Sequence, residues 1–274
     1  MIKTAFSTLG CPKYNVDGIV AIAAASGYDG VEIRAVSGTA ELWNLPEFTG
    51  RGLAGTARAF RDSGLAIVCV GTSINFCVAD MARRDAGIET AKIYFEIANA
   101  LDCPYIRLFG GPMPPTQGYL ESVRWCREGF ERLCALAGDA GITPLLETHD
   151  DFSTAARALD ILDGVAAPNI GVIWDILHSF RFGEPMQTTY DKLKDRIKHV
   201  HIKDSAVFSA AGFDLTLVGE GKVPVAECVD ILRRGGYDGY FSFEWEKLWH
   251  PEIPEPEIAI PHYMTYLRKN GFIK

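Results

Sequence analysis

Basic charge, paired cysteines and long apolar runs are all scarce in this 274-residue sequence. Lysine and arginine total 27 against 35 aspartates and glutamates, which leaves a net charge of -8 and an isoelectric point near 5.3. Phosphate backbones are bound through a basic face, so a nucleic-acid partner is not expected. The 7 cysteines are odd in number and none forms a CxxC pair. The nearest pairs, Cys69/Cys77 and Cys126/Cys134, lack the spacing of a zinc site. Reduced thiols in a cytoplasmic protein are the expectation. The opening MIKTAFSTLG has no charged-then-apolar leader pattern, and no apolar run has bilayer length, so no membrane partner is expected. A Gly-rich phosphate loop after the first apolar run is missing too, since STLGCPKYN is not one.

What is present is a regular alternation. Eight β-like runs stand at 2–10, 30–34, 65–71, 105–111, 143–149, 170–178, 197–204 and 240–246. Amphipathic segments separate them, and several end in glycine just before the next run, a helix C-terminal signal. Asp151 and Ser153 are candidate caps for the fifth helix. SGYDGVEI (26–33) and GGYDGYFSFE (235–244) repeat one helix-to-strand joint near both ends. Strict β-α alternation implies a parallel sheet covered by helices. Eight units in this length, with no linker or low-complexity stretch, predict one α/β domain over 1–274, a closed (β/α)₈ TIM barrel. An open doubly wound sheet is the alternative. The segments after strands two, seven and eight are long, with 204–222 the longest.

Barrel chemistry sits at the C-terminal strand ends. There the pattern places Glu32 and Arg34, Arg107, Glu147 and His149, Asp175 and His178, His201 and Lys203, and Glu244 with Glu246. Carboxylates in apolar runs such as PLLE and GVIWD are unusual unless used. In HVHIKD the residues His199, His201 and Lys203 share one strand face. His199 is expected one layer deeper, satisfied by a neighbour. Asp175 has a plainer alternative as the cap of the turn that follows, and Glu246 with Lys247 as an exposed ion pair. Arg107, Glu32 and Arg34 are equally read as a structural ion-pair network. Trp43, Trp245 and Trp249 are more often packing than substrate platforms. Carboxylates and an imidazole converging from distant strands are what a divalent metal requires.

The series LLETH, WDILH, HVHIKD and GYDGYFSFEWE resembles the xylose-isomerase-like (β/α)₈ superfamily (the AP endonuclease 2 type), over essentially the whole chain. That superfamily includes sugar isomerases and epimerases, keto-acid dehydratases and apurinic endonucleases. In its ketohexose 3-epimerase branch one divalent metal, often manganese, is held by Glu, Asp, His and Glu from strands five to eight. The resemblance implies Glu147, Asp175, His201 and Glu244 as ligands, with Glu147 and Glu244 also moving protons. It implies His178 as a substrate contact and matches Gly219-Glu220-Gly221 to a motif before the last helix. The arginine that this branch carries six residues after its strand-seven histidine is replaced by Val207. Lys203 or Arg107 is expected to substitute, with Glu32 and His149 as further substrate contacts.

The expected function is therefore a metal-dependent isomerase or epimerase of a sugar or sugar-like polyol, through an enediolate. Three carboxylates and one imidazole suit manganese, with magnesium, cobalt or zinc as alternatives. The same site ending in elimination gives a dehydratase of a keto-sugar or cyclic keto acid, and LLETH and DxLH also resemble 3-dehydroshikimate dehydratases. Abasic-site nuclease activity is disfavoured: strands three and four end in CVGTSINF and RLFGG without the expected histidines, and Asp214 is followed by Leu215 and Thr216 rather than the Asp-x-His pair. A non-catalytic binding protein would not need the full ligand set. A homo-oligomer is compatible with the sequence.

Overall fold

A computed structural model describes residues 1–274. Eight parallel strands close a barrel: β1 (Lys3–Ser7), β2 (Gly30–Ile33), β3 (Ala66–Asn75), β4 (Tyr105–Phe109), β5 (Thr143–Glu147), β6 (Gly171–Asp175), β7 (Ile197–Ile202) and, after the hairpin β8 (Asp204–Ser209) and β9 (Gly212–Thr216), β10 (Tyr240–Phe243). The order around the barrel is β1-β10-β7-β6-β5-β4-β3-β2. The surrounding helices are α1 (Val16–Ser26), α2 (Gly50–Ser63), α3 (Met81–Ala100), α4 (Tyr119–Asp139), α5 (Ala155–Leu162), α6 (Ile176–Arg181), α7 (Met186–Leu193), α8 (Val225–Arg234) and α9 (Pro256–Lys269). All eight predicted strands form, with β3 running four residues further than the sequence pattern suggested and its pairing with β4 shifting between Gly71 and Asn75.

Local chemistry sets the joints. The Asn15 side chain accepts from Gly18 N and starts α1, which Gly27 ends with a left-handed φ of 82°. Gly236 repeats that conformation after α8, so the echoed Gly-Tyr-Asp-Gly segments are the same left-handed turn. They meet in space because β1 and β10 pair, Lys3 opposite Tyr240. Thr154 caps α5, not Asp151 or Ser153. Asp151 instead accepts from Met113 N, while Ser153 donates to Asp150 O.

Apolar packing lies mainly between the barrel and its helices, in one cluster of 70 buried residues. Inside the barrel Cys69, Leu145 and Ile173 form a small separate apolar cluster. Above it the interior is polar, which is where the site stands.

The long segment after β7 is a hairpin that folds back at the barrel mouth rather than an irregular loop. Its root is the buried Asp204 carboxylate, which accepts from the backbone N–H groups of Ser205, Gly219, Gly221 and Val223 at 2.8–3.0 Å. This explains Gly219-Glu220-Gly221. Gly219 has φ +91°, and a Cβ on Gly221 would stand 2.1 Å from Asp204 Oδ1. Four donors on one carboxylate anchor the hairpin. Asp204→Ala is expected to cost about 1–3 kcal/mol, because it strands buried N–H groups. Urea midpoints and amide exchange at Gly219, Gly221 and Val223 measure this. Unchanged protection of those three amides would show that the anchor lies elsewhere.

Candidate metal centre

The fifth, sixth, seventh and tenth strands deliver four side chains to one point. Glu147 ends β5, Asp175 ends β6, His201 is the fifth residue of β7 and Glu244 follows β10. Their ligating atoms all lie within 4.8 Å of one another, and all four residues are buried. Two ligands across an ion at about 2.0–2.6 Å stand roughly 4–5 Å apart, so the spacing is compatible with one divalent cation. Two details favour that fit. Asp175 Oδ2 is buried with no hydrogen-bond partner, its approach to Lys203 Nζ at 2.8 Å being an ion pair without hydrogen-bond geometry. His201 aims Nδ1 at Glu147 (2.8 Å), Glu244 (3.3 Å) and Asp175 (3.9 Å).

Asp175 fills both roles weighed from the sequence. Its Oδ1 accepts from Leu177 N and His178 N, each at 3.0 Å, and so starts α6. Its Oδ2 faces the centre. Burial pushes this carboxyl up to about 6, Lys203 opposing and Glu244 and Glu147 adding to the rise. Burial acts the same way on Glu147, but Arg107 and His201 overcome it and hold that carboxyl at about 2. At Glu244, His201 and Lys203 outweigh burial and hold the carboxyl well below the usual range.

Glu32 lies underneath the centre rather than at the substrate. Its Oε2 is 2.8 Å from both His199 Nε2 and His201 Nε2. Nε2–H of His201 is donated downward to Glu32. Burial lowers the ring pKa, but Glu244, Glu32 and Glu147 outweigh it and raise it well above its usual value. Nδ1 therefore also carries a proton, aimed at Glu147, and a metal would take that proton's place. Glu32, His199 and His201 also cluster tightly enough for an ion. There, however, both rings share one carboxylate oxygen, an arrangement that two N–H donors explain. His199 therefore stands one layer deeper, bonded to Glu32.

The other expected substrate contacts divide. Arg107 Nη1 donates to Glu147 Oε2 at 2.6 Å, with its Cζ 4.1 Å from the Phe109 ring centre, so it orients a ligand. Lys203 is fully buried among Asp175, Glu244 (2.7 Å) and Glu246. His178 and His149 line a mouth pocket of about 470 Å³. His178 Nδ1 accepts from Arg181 Nε at 3.2 Å, and burial, Lys203 and His149 hold the ring neutral. The proton thus sits on Nε2, which is buried without a hydrogen-bond partner and 3.8 Å from Asp175 Oδ2. His149 packs edge-on to His178 and lies 3.1 Å from Asp150.

Several residues of the mouth were not legible as such. Glu246 is buried and bonded to Lys203, with His250 Nε2 3.6 Å away, whereas Lys247 pairs with Glu255 at 2.9 Å. The expected Glu246–Lys247 pair does not form. Its signal was the alternation FEWE, which puts Glu244 and Glu246 on one face. Phe213 comes from β9 and stands 5.7 Å above Lys203 Nζ and 5.4 Å from His178. Only the hairpin fold brings it there. Trp249 also lines the pocket, Trp245 packs in the core with Nε1 bonded to Pro254 O, and Trp43 packs on Tyr94 away from it.

Manganese at a hundredfold excess over its dissociation constant is expected to stabilise the chain by about 2.7 kcal/mol, reversibly with a chelator. His201→Gln should abolish most metal content, while His199→Gln should keep it. Glu32→Gln should weaken metal affinity by roughly 10–100-fold through the lost support of His201. Equal metal loss in the two histidine variants, measured by elemental analysis, would show that the ligand layer has been misassigned.

The chain is 27% identical over 255 residues to fructoselysine 3-epimerase of Escherichia coli O157:H7, covering 89% of this chain and 90% of that protein. It is 24% identical over 243 residues to 3-dehydroshikimate dehydratase of Bacillus anthracis, covering 83% and 84%. The crystal structure of D-psicose 3-epimerase with D-tagatose from Clostridium cellulolyticum H10 superposes with a TM-score of 0.81 at 16% identity, covering 99% of each chain. No helix is long and apolar enough to cross a membrane. Residues 20–269 match the model of the xylose isomerase-like TIM barrel family, and the chain belongs to that family.

Proposed function

We propose that this chain is a divalent-metal-dependent isomerase or epimerase of a sugar or sugar-like polyol, working through an enediolate. The observation that carries the reading is the four-residue cluster of Glu147, Asp175, His201 and Glu244 beneath the open mouth pocket. The epimerase among the curated relatives supports it. Manganese is the metal we expect, given three hard carboxylates and one imidazole. When bound, it supplies Lewis-acid polarisation of a carbonyl and compensates developing negative charge.

The chain's own groups supply the rest. Glu147 and Glu244 come from strands separated by β6 and β7, so they reach a bound substrate from different sides. Both are held ionised, ready to accept a proton from the carbon beside the carbonyl. The electron pair left by that proton passes into the enediolate. The opposite glutamate, once it has taken a proton from solvent, delivers it to the other face and inverts the carbon, while the first gives its proton up to solvent. The free Nε2–H of His178 donates to a substrate oxygen. Phe213 and Trp249 line the pocket.

A second reading shares these steps and ends in loss of a β-hydroxyl. It is supported by the dehydratase relative.

With metal saturating, Glu147→Gln and Glu244→Gln are each expected to lose turnover by roughly 10²–10⁴-fold. Substrate-proton exchange with deuterated water and net conversion should be followed separately, by proton NMR on samples stripped of metal after quenching. Exchange surviving in one variant with conversion lost in both supports two-base epimerisation. Full conversion in either variant rules that glutamate out as an essential acid or base. A new enone signal selects the dehydratase.

A further inference from the structure

Among the cations of the mouth, Arg34 has no acid to answer it. Lys203 meets three carboxylates and Arg107 meets Glu147. Arg181 gives Nη1 to the carbonyls of Ser209 and Ala210, and Nε to His178. Arg34, just after β2, is 3% exposed and enters no salt bridge. Its one side-chain hydrogen bond runs from Nη2 to Ser73 Oγ at 2.7 Å. Nε and Nη1 are buried without partners. The ion-pair network of Arg34, Arg107 and Glu32, one of the two readings the sequence allowed, therefore does not form. Arg107 takes Glu147, Glu32 takes two histidines, and Arg34 is left over.

A buried, unpaired guanidinium is costly unless a ligand completes it. The surroundings are shaped to hold it in place. A Cβ on Gly71 of β3 would stand 2.6 Å from Arg34 Cδ and 3.3 Å from Arg107 Nη2, so only glycine leaves room for both side chains. The Trp249 ring lies 5.9 Å from Arg34 Cζ on another side. Burial and the neighbouring Arg107 cation bring the Arg34 guanidinium down to about 10, and the charge of a bound anion would oppose that fall. Arg34, Ser73, His178 and Glu244 line the same pocket.

We propose that Arg34 is a specificity-determining residue that holds a carboxylate of the substrate, so that the substrate class is carboxylated keto-sugars and polyols rather than neutral ketoses. The reaction named for that substrate rests on the isomerase reading above; the anion site does not. One guanidinium beside one hydroxyl suits a carboxylate, whereas phosphate recognition usually gathers several cations or a helix N-terminus. The charge also orients the substrate, since it fixes one end while the carbonyl end lies toward Glu147 and Glu244.

Calorimetric titration of the chelator-treated protein with D-gluconate and with D-glucitol isolates the carboxylate, because neither polyol carries a reactive carbonyl. Gluconate is expected to bind about 10–100-fold more tightly than glucitol, the size of a charge-assisted hydrogen-bond pair. Arg34→Met should abolish that preference, and Arg34→Lys should keep part of it. Equal binding of the two polyols by the wild type, or a preference that survives Arg34→Met, overturns the proposal. Tighter binding of glucitol 6-phosphate than of gluconate overturns the carboxylate assignment. Circular dichroism reports whether Arg34→Met folds; if it does not, the wild-type preference and the Arg34→Lys variant decide. A parallel exchange assay on the manganese-loaded enzyme compares 2-keto-sugar acids with neutral ketoses. Arg34-dependent gluconate binding with no exchange of any substrate would sink the isomerase reading and leave the anion site standing. Rapid exchange of neutral ketoses, untouched by Arg34→Met, would sink the anion site and leave the isomerase reading standing.

Discussion

Four carboxylates meet at the mouth of this barrel almost out of reach of water: Glu147, Asp175, Glu244 and Glu246. Their mutual repulsion in a poorly solvated space is the constraint that the neighbouring residues answer. Lys203 stands between three of them, Arg107 braces Glu147, and His201 faces the cluster from the barrel axis. Removing one member of such a group leaves an uncompensated buried charge, which is far more costly than loss of a surface pair. A divalent cation among the same oxygens relieves the repulsion, so metal binding and the integrity of the mouth are one problem.

Beneath the carboxylates the barrel interior is layered by chemistry. Cys69, Leu145 and Ile173 form a small apolar floor. Glu32 and the two histidines of β7 form a hydrogen-bonded layer above it. Glu147, Asp175 and Glu244 come next, and the pocket lined by His149, His178, Phe213 and Trp249 comes last. Each layer fixes the one above. Glu32 sets which nitrogen of His201 faces upward, and Asp175 caps α6 with one oxygen while presenting the other. A rigid parallel barrel suits this arrangement, because alternate residues of neighbouring strands stack in register: Asp175 beside His201, His201 beside Ser242.

The hairpin is the less regular part, and it shapes the mouth pocket. The Asp204 carboxylate gathers four backbone N–H groups and turns an otherwise long excursion into a fixed element. From it Phe213 reaches over Lys203, and Arg181 clasps its tip through two carbonyls.

The sequence by itself determined the barrel, its strand count and the four residues that converge at its mouth. Strand alternation and glycine-ended helices are local signals, and acids within PLLE and GVIWD stand out because apolar runs rarely carry them. It also placed His199 below His201, since the two-residue period of a strand is local geometry. What only the tertiary structure decided was pairing. Glu32, Arg34 and Arg107 are indistinguishable in sequence as charged residues near strand ends. Yet one supports His201, one orients Glu147 and one stands unpaired. Glu246 turned inward to Lys203 instead of outward to Lys247, and residues 204–222 became a hairpin bearing Phe213. Those outcomes depend on which strands lie adjacent and on where a buried charge finds its nearest partner, distances that no local pattern encodes.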